Sequence, residues 1–145
     1  MAARPESQDS LPDGGENLKA TLRDEEESLT QIRAAFDQHG ADIAAVILEP
    51  IQCEGGDNHF RVEFLRALRE ICDQRDAMLI FDEVQTGFFG TGKPWCFQHF
   101  GVEPDLVAFG KKTQVCGFFS NKRIETVPKN VFAESSRINS TWGAT

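Results

Sequence analysis

The sequence has no long hydrophobic run and no excess of basic residues. None of its apolar segments approaches the ~20 residues that a membrane-spanning helix needs, and residues 1–15 contain no apolar stretch of the kind found in signal peptides. Its 23 acidic residues outnumber its 15 basic residues, which gives a formal net charge of −8. Nucleic acids and anionic membranes attract basic surfaces, so this charge argues against both as partners.

Closely spaced cysteines and paired histidines are missing as well. The four cysteines stand far apart and form no C-x-x-C pair: Cys53, Cys72, Cys96 and Cys116. This spacing does not fit a zinc site or a disulfide framework, so we expect reduced thiols and a cytoplasmic protein. The three histidines, at positions 39, 59 and 99, contain no i, i+4 pair, which argues against a metal hydrolase.

Length and composition suit a single hydrophobic core. With 145 residues, of which 40% are hydrophobic, the chain is too short for two ordinary domains. Residues 1–22 are rich in Pro, Gly, Ser and acids, which predicts a disordered leader. We assign residues 23–145 to one folded domain, which begins with an amphipathic helix over Asp24–Gln38.

Apolar runs alternate with amphipathic segments, which is typical of an α/β protein that has a parallel sheet with crossover helices. The predicted strands are Ile43–Leu48, Met78–Phe81 and Leu106–Phe109, with a further strand at Gly117–Phe119. The predicted later helices are Val62–Gln74 and a short helix within Trp95–Phe100. The segment Gln52–Asp57 is polar and Gly-rich, which predicts a loop without regular structure.

Chemically useful residues follow two of the predicted strands. The apolar run over residues 77–81 stops at Asp82, and the strand over residues 106–109 is soon followed by Lys111 and Lys112. The carboxyl ends of parallel strands meet at one edge of the sheet, where open α/β folds place their ligands. An acid at one strand end and a lysine at the next indicate a site for a cationic ring and an imine.

Five motifs in a fixed order carry a family resemblance. They are Glu49–Gly56, Phe81–Gly87, Pro104–Asp105, Phe109–Gly117 and Ser136–Gly143. Together they resemble the class III pyridoxal-phosphate-dependent aminotransferases, and the last two are most similar to the branch that transfers the ε-amino group of lysine. The resemblance covers residues from about 40 onward. It implies part of the large domain of a fold-type I transferase, with pyridoxal 5′-phosphate as the cofactor.

The resemblance implies roles for three residues around the first acidic strand end. In the family, the acid that matches Asp82 pairs with the pyridine nitrogen and keeps the ring protonated, so that the ring can accept electrons from a carbanion. Residues that match Val84 and Gln85 pack on a ring face and contact the phenolic oxygen. Spacing alone leaves a second interpretation of Asp82 open, because a strand-end acid can simply cap a turn.

The lysine pair holds the implied catalytic amine. By resemblance, Lys111 forms the Schiff base, and its released amine carries a proton between the two reacting carbons. Without the resemblance, two exposed lysines after a strand would be the ordinary interpretation. Adjacent residues of an extended chain point to opposite faces, so we expect only one lysine to reach the ring. Ungapped matching to Asp82 and Thr141 selects Lys111, and Lys112 is the alternative.

Three further residues carry the implied substrate chemistry. Glu54 matches a glutamate that pairs with an arginine in the ω-amino branch, and this movable pair lets one site accept both lysine and 2-oxoglutarate. Solvation of a loop acid is the alternative for Glu54. Asn139 and Thr141 match residues lining the substrate and phosphate regions. In the family that threonine comes from the neighbouring subunit, which implies a homodimer.

The sequence departs from the family pattern in two kinds of position. Cys53 and Phe89 stand where the family usually has glycine. The family's phosphate-binding Gly/Ser segment, its ring-stacking aromatic residue and the arginine partner of Glu54 have no match. We therefore expect the central piece of a longer enzyme, inactive by itself.

Parts of the sequence also fit other functions. An apolar run that ends in Asp-Glu also describes the Walker B strand of an ATPase, and Gly90–Lys93 resembles the tail of a phosphate-binding loop. However, Pro94 replaces the necessary Ser or Thr, and the loop follows the acidic strand instead of preceding it. A non-catalytic remnant is compatible with the family resemblance. Ornithine and 4-aminobutyrate are alternatives to lysine as the amino donor.

Overall fold

The computed structural model describes residues 14–135 and residue 137. The chain divides into two compact units, Met1–Ile43 and Ala44–Thr145. The described residues of the first unit, 14–43, form a long helix and then a 3-10 turn over Gly40–Asp42. The second unit contains every strand that the structure describes, and therefore the sheet edge where the candidate site was expected.

Helix α1, Gly14–His39, begins earlier than the sequence predicted. Its second turn contains Leu18, Lys19 and Ala20, which are strong helix formers, and the hydroxyl of Thr21 donates a hydrogen bond to the Asn17 carbonyl at 3.0 Å. The predicted disorder over residues 1–22 is therefore wrong from Gly14 onward, while residues 1–13 lie outside the described part. Within the described residues, no helix is long and apolar enough to cross a membrane.

Within its described residues, the second unit contains six strands and one α-helix. They are β1 Ala45–Leu48, β2 Ile51–Gln52, β3 Asn58–His59, α2 Val62–Gln74, β4 Met78–Asp82, β5 Leu106–Phe109 and β6 Gly117–Ser120. The main sheet has the order β1-β4-β5-β6. Strands β1, β4 and β5 are parallel, which confirms the predicted α/β fold class, whereas β6 returns antiparallel to β5.

Helix α2 supplies one side of the hydrophobic core, and its bounds match the prediction. Its buried side chains recur at helical spacing: Phe64, Leu65, Leu68, Ile71 and Cys72. In the sheet, Leu79, Phe81 and Val107 are also buried, and the register places Phe81 beside Val107 on one face. Burying each such side chain contributes about 1.5–3 kcal/mol. The core therefore fixes β4 and β5, whose ends carry the candidate site.

The Gly-rich segment that follows β1 is the turn of a short hairpin. Strands β2 and β3 form a two-stranded antiparallel hairpin, in which Ile51 pairs with His59 and Gln52 pairs with Asn58. The Asn58 side chain closes the turn, because its Nδ2 donates to Gln52 Oε1 at 3.0 Å and to the Gly55 carbonyl at 3.2 Å. The predicted loop is confirmed over residues 53–57, and only Gln52 lies in a strand. The sequence did not show the two flanking strands, which are too short for a pattern and are stabilised by side-chain hydrogen bonds.

Hydrogen bonds and ion pairs of Asp105 stabilise the sheet edge opposite the candidate site, where β4 and β5 begin. Asp105, 3% exposed, accepts hydrogen bonds from the Leu79 backbone N–H at 2.8 Å and from Arg69 Nη1 at 2.7 Å. Asn121 Nδ2 donates at 3.2 Å, and Arg123 Nη1 lies 3.4 Å from the carboxylate. Burial alone would raise the pKa of Asp105, but these donors outweigh burial and hold the pKa below its usual value. One carboxylate therefore joins α2, β4, β5 and the segment after β6.

The sheet face opposite α2 is less well covered. Ile47 in β1 is 62% exposed, and the register places Ile80 and Leu106 on the same face. Strand β1 stands at the end of the strand order, so its outer edge has no strand partner among the described residues. This edge combines unpaired backbone groups with an exposed apolar side chain.

Candidate active site at the carboxyl edge of the sheet

The strand register brings the two predicted reactive segments to one edge of the sheet. Asp82, the last residue of β4, pairs with Ala108 of β5. Lys111 follows three residues later, in a 3-10 turn over Lys111–Thr113. Because β4 and β5 are parallel, the acid and the lysine leave the sheet at the same end. This is the juxtaposition that the spacing predicted.

Asp82 caps the turn that leaves β4. Its Oδ1 accepts a hydrogen bond from the Val84 backbone N–H at 3.0 Å, and its side chain is only half-buried. Val84 turns toward Gly110, where an added Cβ would lie 3.5 Å from Val84 Cγ1. The turn-capping interpretation of Asp82 is therefore confirmed as a contact, and the second carboxylate oxygen is not needed for it.

Gln85 is the meeting point of the two lysines. Lys111 Nζ donates a hydrogen bond to the side-chain Oε1 of Gln85. Lys112 Nζ donates to the main-chain carbonyl of the same residue at 2.5 Å. The expectation that alternation would send the two lysines to opposite faces is wrong, because they lie in a 3-10 turn and not in an extended strand.

Backbone geometry sets the direction of Lys111. Its φ is +53°, in the left-handed region that non-glycine residues adopt at a cost of about 1–2 kcal/mol. Gln114, with φ +63°, ends the same turn and donates its N–H to the Lys111 carbonyl at 2.9 Å. Both lysine side chains are exposed. Strain concentrated at a candidate catalytic residue is a frequent property of functional sites.

Glu83 is a buried acid to which the sequence analysis assigned no role. It is 1% exposed and directly follows Asp82. Its Oε2 accepts the Cys96 backbone N–H at 2.6 Å, and its Oε1 accepts the Phe97 backbone N–H at 2.8 Å. Burial raises the pKa of Glu83 even though these N–H groups oppose the shift. The available signal was the predicted short helix at 95–100, whose first N–H groups need an acceptor.

Trp95 connects the turn after β4 to the end of β5. Its ring centroid lies 5.9 Å from that of Phe109 and 4.9 Å from that of Phe119. The ring also closes over Gly87, where an added Cβ would lie 2.7 Å from Trp95 Cζ3. Gly87 is therefore required by a close approach between turn and ring. Phe109 in turn stands two residues before Lys111.

The loop beyond Gly87 has an unusual backbone. Phe88 and Phe89 have φ values of +53° and +62°, and their side chains are 52% and 62% exposed. Their rings meet edge to face at 6.2 Å. Phe89 therefore stands in a left-handed conformation that glycine adopts without cost, as its departure from the family pattern suggested.

The remaining predicted residues are not brought to this cluster by any described contact. Glu54 is exposed at the tip of the β2–β3 hairpin. Asn139 and Thr141 lie outside the described residues. In residues 14–135 and 137, no group of three or more His, Cys, Asp or Glu side chains could hold a metal ion. Burial raises the pKa of Cys96 to about 11, so its thiol is a poor nucleophile near neutral pH.

A family model and several known proteins are similar to this chain. The chain matches the family Aminotransferase class-III over residues 5–145. An L-lysine-epsilon aminotransferase of Mycobacterium tuberculosis is 60% identical over 119 residues, which are 82% of this chain and 26% of that protein. A protein of the same name from Streptomyces clavuligerus is 52% identical over 128 residues, which are 88% of this chain and 28% of that protein.

A solved structure gives the same result. Lysine aminotransferase from M. tuberculosis in the internal aldimine form superposes with a TM-score of 0.80 at 52% identity, and the match covers 97% of this chain and 30% of that chain. The chain thus spans about a quarter of the length of the curated relatives it matches. The family match begins at residue 5, so the resemblance extends further upstream than residue 40. The family also accounts for the two acids at the end of β4, Asp82 and Glu83, so that the Walker B strand of an ATPase is not needed to explain them.

Proposed function

Because this chain belongs to the class-III aminotransferase family, we propose that the intact protein transfers the ε-amino group of L-lysine to 2-oxoglutarate. The observation that carries the proposal is the meeting of Asp82, Gln85 and Lys111 at one sheet edge, with Lys111 Nζ hydrogen-bonded to Gln85 Oε1. Relatives that are 60% and 52% identical carry the name L-lysine-epsilon aminotransferase, which favours lysine as the donor.

The donor set at this edge fits the ring of pyridoxal 5′-phosphate, the cofactor of the family. A carboxylate, an amide, an amine and an apolar wall are present in Asp82, Gln85, Lys111 and Val84. They suit a protonated ring nitrogen, a phenolic oxygen, an aldehyde and a flat ring face, respectively. When bound, the cofactor supplies an electron sink for the electrons released at the substrate carbon.

Asp82 holds the proton on the ring nitrogen in this proposal. Its Oδ1 is occupied by the Val84 N–H at 3.0 Å, and its other oxygen is available for the cofactor. Gln85 has two tasks, because its side chain already accepts a hydrogen bond from Lys111 and would also contact the phenolic oxygen. Val84 packs against one face of the ring.

Lys111 binds the cofactor and moves the proton. A lysine amine attacks a carbonyl in its neutral form, and once released it can take a proton from one carbon and return it to another. Lys112 is the alternative, because its Nζ also reaches Gln85. The side chain of Lys112 contacts a main-chain oxygen, which is a less adaptable partner than the amide of Gln85.

The remaining roles rest on the family resemblance. We propose that Glu54 masks an arginine when lysine is bound and exposes it for 2-oxoglutarate, and its exposed position at a hairpin tip leaves it room to move. Asn139 and Thr141 are proposed to line the substrate and phosphate regions. A homodimer is part of the proposal, because the matching threonine serves the neighbouring subunit in the family. A cytoplasmic location is proposed from the wide spacing of the cysteines.

The test uses a chimera in which the matched residues of this chain replace their 119 counterparts in the M. tuberculosis L-lysine-epsilon aminotransferase. With pyridoxal phosphate added, we expect a visible absorbance band that borohydride removes and turnover of lysine with 2-oxoglutarate. Ornithine and 4-aminobutyrate, offered as donors in parallel, decide between the alternatives. A folded chimera without a reducible band would support a non-catalytic remnant instead.

A matched pair of variants locates the reactive amine. Lys111→Ala should abolish borohydride trapping, while Lys112→Ala should retain it, and peptide mapping of the trapped adduct identifies the lysine directly. A label on Lys112 would reverse the assignment within the pair without removing the family function.

A further inference from the structure

We propose that Glu83 is a positioning residue, whose buried carboxylate holds Gln85 and, through Gln85, directs Lys111. The inference rests on the proposed function for its catalytic meaning, but the arrangement itself is a property of the chain. We use the name Glu83 clamp for Glu83 together with the backbone N–H groups of Cys96 and Phe97.

The carboxylate of Glu83 connects its own turn to the segment that starts at Cys96. Glu83 is 1% exposed, and each of its oxygens accepts a backbone N–H, from Cys96 at 2.6 Å and from Phe97 at 2.8 Å. The hydroxyl of Thr86 donates to the same carboxylate at 3.4 Å. A buried carboxylate satisfied by such donors is rigid, because releasing any one of them leaves a buried polar group unpaired.

Gln85 lies within the turn that Glu83 begins. The Glu83 carbonyl accepts the Gly87 N–H at 2.8 Å, so Gln85 lies within a closed turn that begins at Glu83. Thr86, the next residue, is held by the Glu83 side chain. The Glu83 clamp holds this turn, and the turn sets the direction of the Gln85 side-chain amide. The position of Gln85 Oε1, which accepts the hydrogen bond from Lys111 Nζ, is set in the same way.

Trp95 makes a separate connection between the Glu83 clamp and the strand that precedes Lys111. Trp95, which immediately precedes the clamped N–H groups, packs over Gly87 and against Phe109. Phe109 also covers Gly117, where an added Cβ would lie 2.7 Å from the Phe109 ring. The residues before Lys111 and the turn that contains Gln85 are therefore fixed to the same short segment, residues 95–97.

The first measurement needs no cofactor. In the chimera, competitive acylation by acetic anhydride measures the reactivity of Lys111, normalised to added N-acetyllysine. Glu83→Gln preserves volume but presents an NH₂ group to one of the clamped N–H donors. The turn should then no longer hold Gln85 Oε1 against Lys111 Nζ. We expect the freed amine of Lys111 to be acylated about tenfold faster, the factor associated with the loss of one charge-assisted hydrogen bond.

The matched control is Asp105→Asn, which changes another buried acid of the same sheet, 3% exposed and at its opposite edge. It should lower the unfolding temperature by an amount comparable to Glu83→Gln but leave the acylation rate of Lys111 as in the parent chimera. Equal acylation rates in Glu83→Gln and the parent, or equal increases in both variants, would overturn the positioning role.

The second measurement uses pyridoxal phosphate and compares the fraction trapped on Lys111 by borohydride with the total bound. Glu83→Gln should lower this fraction roughly tenfold relative to the parent, with part of the label moving to Lys112, since small misplacements of a reacting group are costly. An unchanged fraction would contradict the inference. A parent chimera that traps no cofactor overturns the proposed function instead, and the acylation rates then decide on the Glu83 clamp alone.

Discussion

At the scale of single residues, the two oxygens of Asp82 can serve different purposes. Oδ1 accepts the Val84 N–H and shapes the turn, while the proposed partner of the other oxygen is the ring nitrogen of the cofactor. The two interpretations that the sequence left open are therefore compatible. An amide at this position would keep the first contact and lose the charge that the second requires.

Asp82→Asn should therefore separate folding from chemistry. In the chimera, we expect an unchanged unfolding temperature and a half-reaction with lysine slower by about a hundredfold, the scale associated with a key electrostatic partner. Stopped-flow absorbance after mixing with lysine measures the rate. A variant as fast as the parent would restrict Asp82 to capping its turn.

Glu54→Ala tests the proposed masking of the arginine. Removing the mask leaves the arginine exposed to α-carboxylates, so the preference of the chimera should move toward 2-oxoglutarate and glutamate and away from lysine. The two half-reactions are measured separately. Asp57→Asn is the control, because it removes a charge from the same hairpin turn and keeps a residue that tolerates the φ of +54° at that position. Equal losses in both half-reactions would exclude masking.

Sequence reasoning placed Asp82, Gln85 and Lys111 at one edge because strand ends and parallel order are visible in apolar runs. It failed on the direction of Lys112, because nothing in a Lys-Lys pair announces a φ of +53° at the first lysine. It also passed over Glu83, whose partners are backbone N–H groups more than ten residues away. The unpaired N–H groups at the start of the predicted helix required an acceptor, but nothing in the sequence identified Glu83 as that acceptor.

At the scale of elements, prediction succeeded where a long pattern repeats. Helix α2 and strand β5 have the predicted bounds, since burial selects their apolar positions. The hairpin of β2 and β3 was missed because two residues are too few for an alternating pattern. The antiparallel direction of β6 was also missed, because direction follows from the short connection after β5 and not from composition.

Asp105 should make the contacts among α2, β4 and β5 sensitive to acid. Its pKa is lowered in the folded protein, so its stabilising contribution is fully present above the unfolded value of about 3.9 and is lost as pH falls through the folded pKa. In the chimera, Asp105→Asn should lower the free energy of unfolding by roughly 2 kcal/mol at pH 7.

The difference between parent and Asp105→Asn should narrow as the pH falls below about 4. Urea unfolding at pH 7, 5, 4 and 3 measures it. A difference that stays constant across this range would show that the carboxylate charge contributes nothing and that shape alone matters.

At the scale of the whole molecule, the outer edge of β1 governs how the chain behaves by itself. Four apolar residues, Ala45–Leu48, form this edge strand, and exposed apolar edges favour pairing between chains. The 145 residues expressed alone should therefore self-associate despite a net charge of −8. Ile47→Lys should reduce association, as measured by analytical ultracentrifugation.

Val115→Lys is the matched control for this prediction. Val115 is 64% exposed, similar to Ile47 at 62%, but it lies outside the strands. Both variants change the net charge equally. If association depends on the strand edge, Val115→Lys should associate like the parent, whereas similar behaviour of the two variants would assign the effect to charge.

The extent of the ordered chain was the least predictable property at this scale. Composition alone suggested disorder through residue 22, yet the described helix starts at Gly14. Local helix propensity over residues 17–23 outweighs the Pro, Gly and Ser content averaged over a longer window. Averages of composition conceal short segments of strong propensity.

The antiparallel return of β6 also bears on how this segment can evolve. Phe109 and Gly117 face each other in the ladder, so residues 110–116 form a closed loop of fixed length between two anchored ends. Substitutions within that loop alter one side chain at a time, but an insertion or deletion shifts the lysines relative to Gln85 while the strands stay paired. Natural variation here should consequently appear as exchanges of residue type at constant loop length, with gaps confined to other connections.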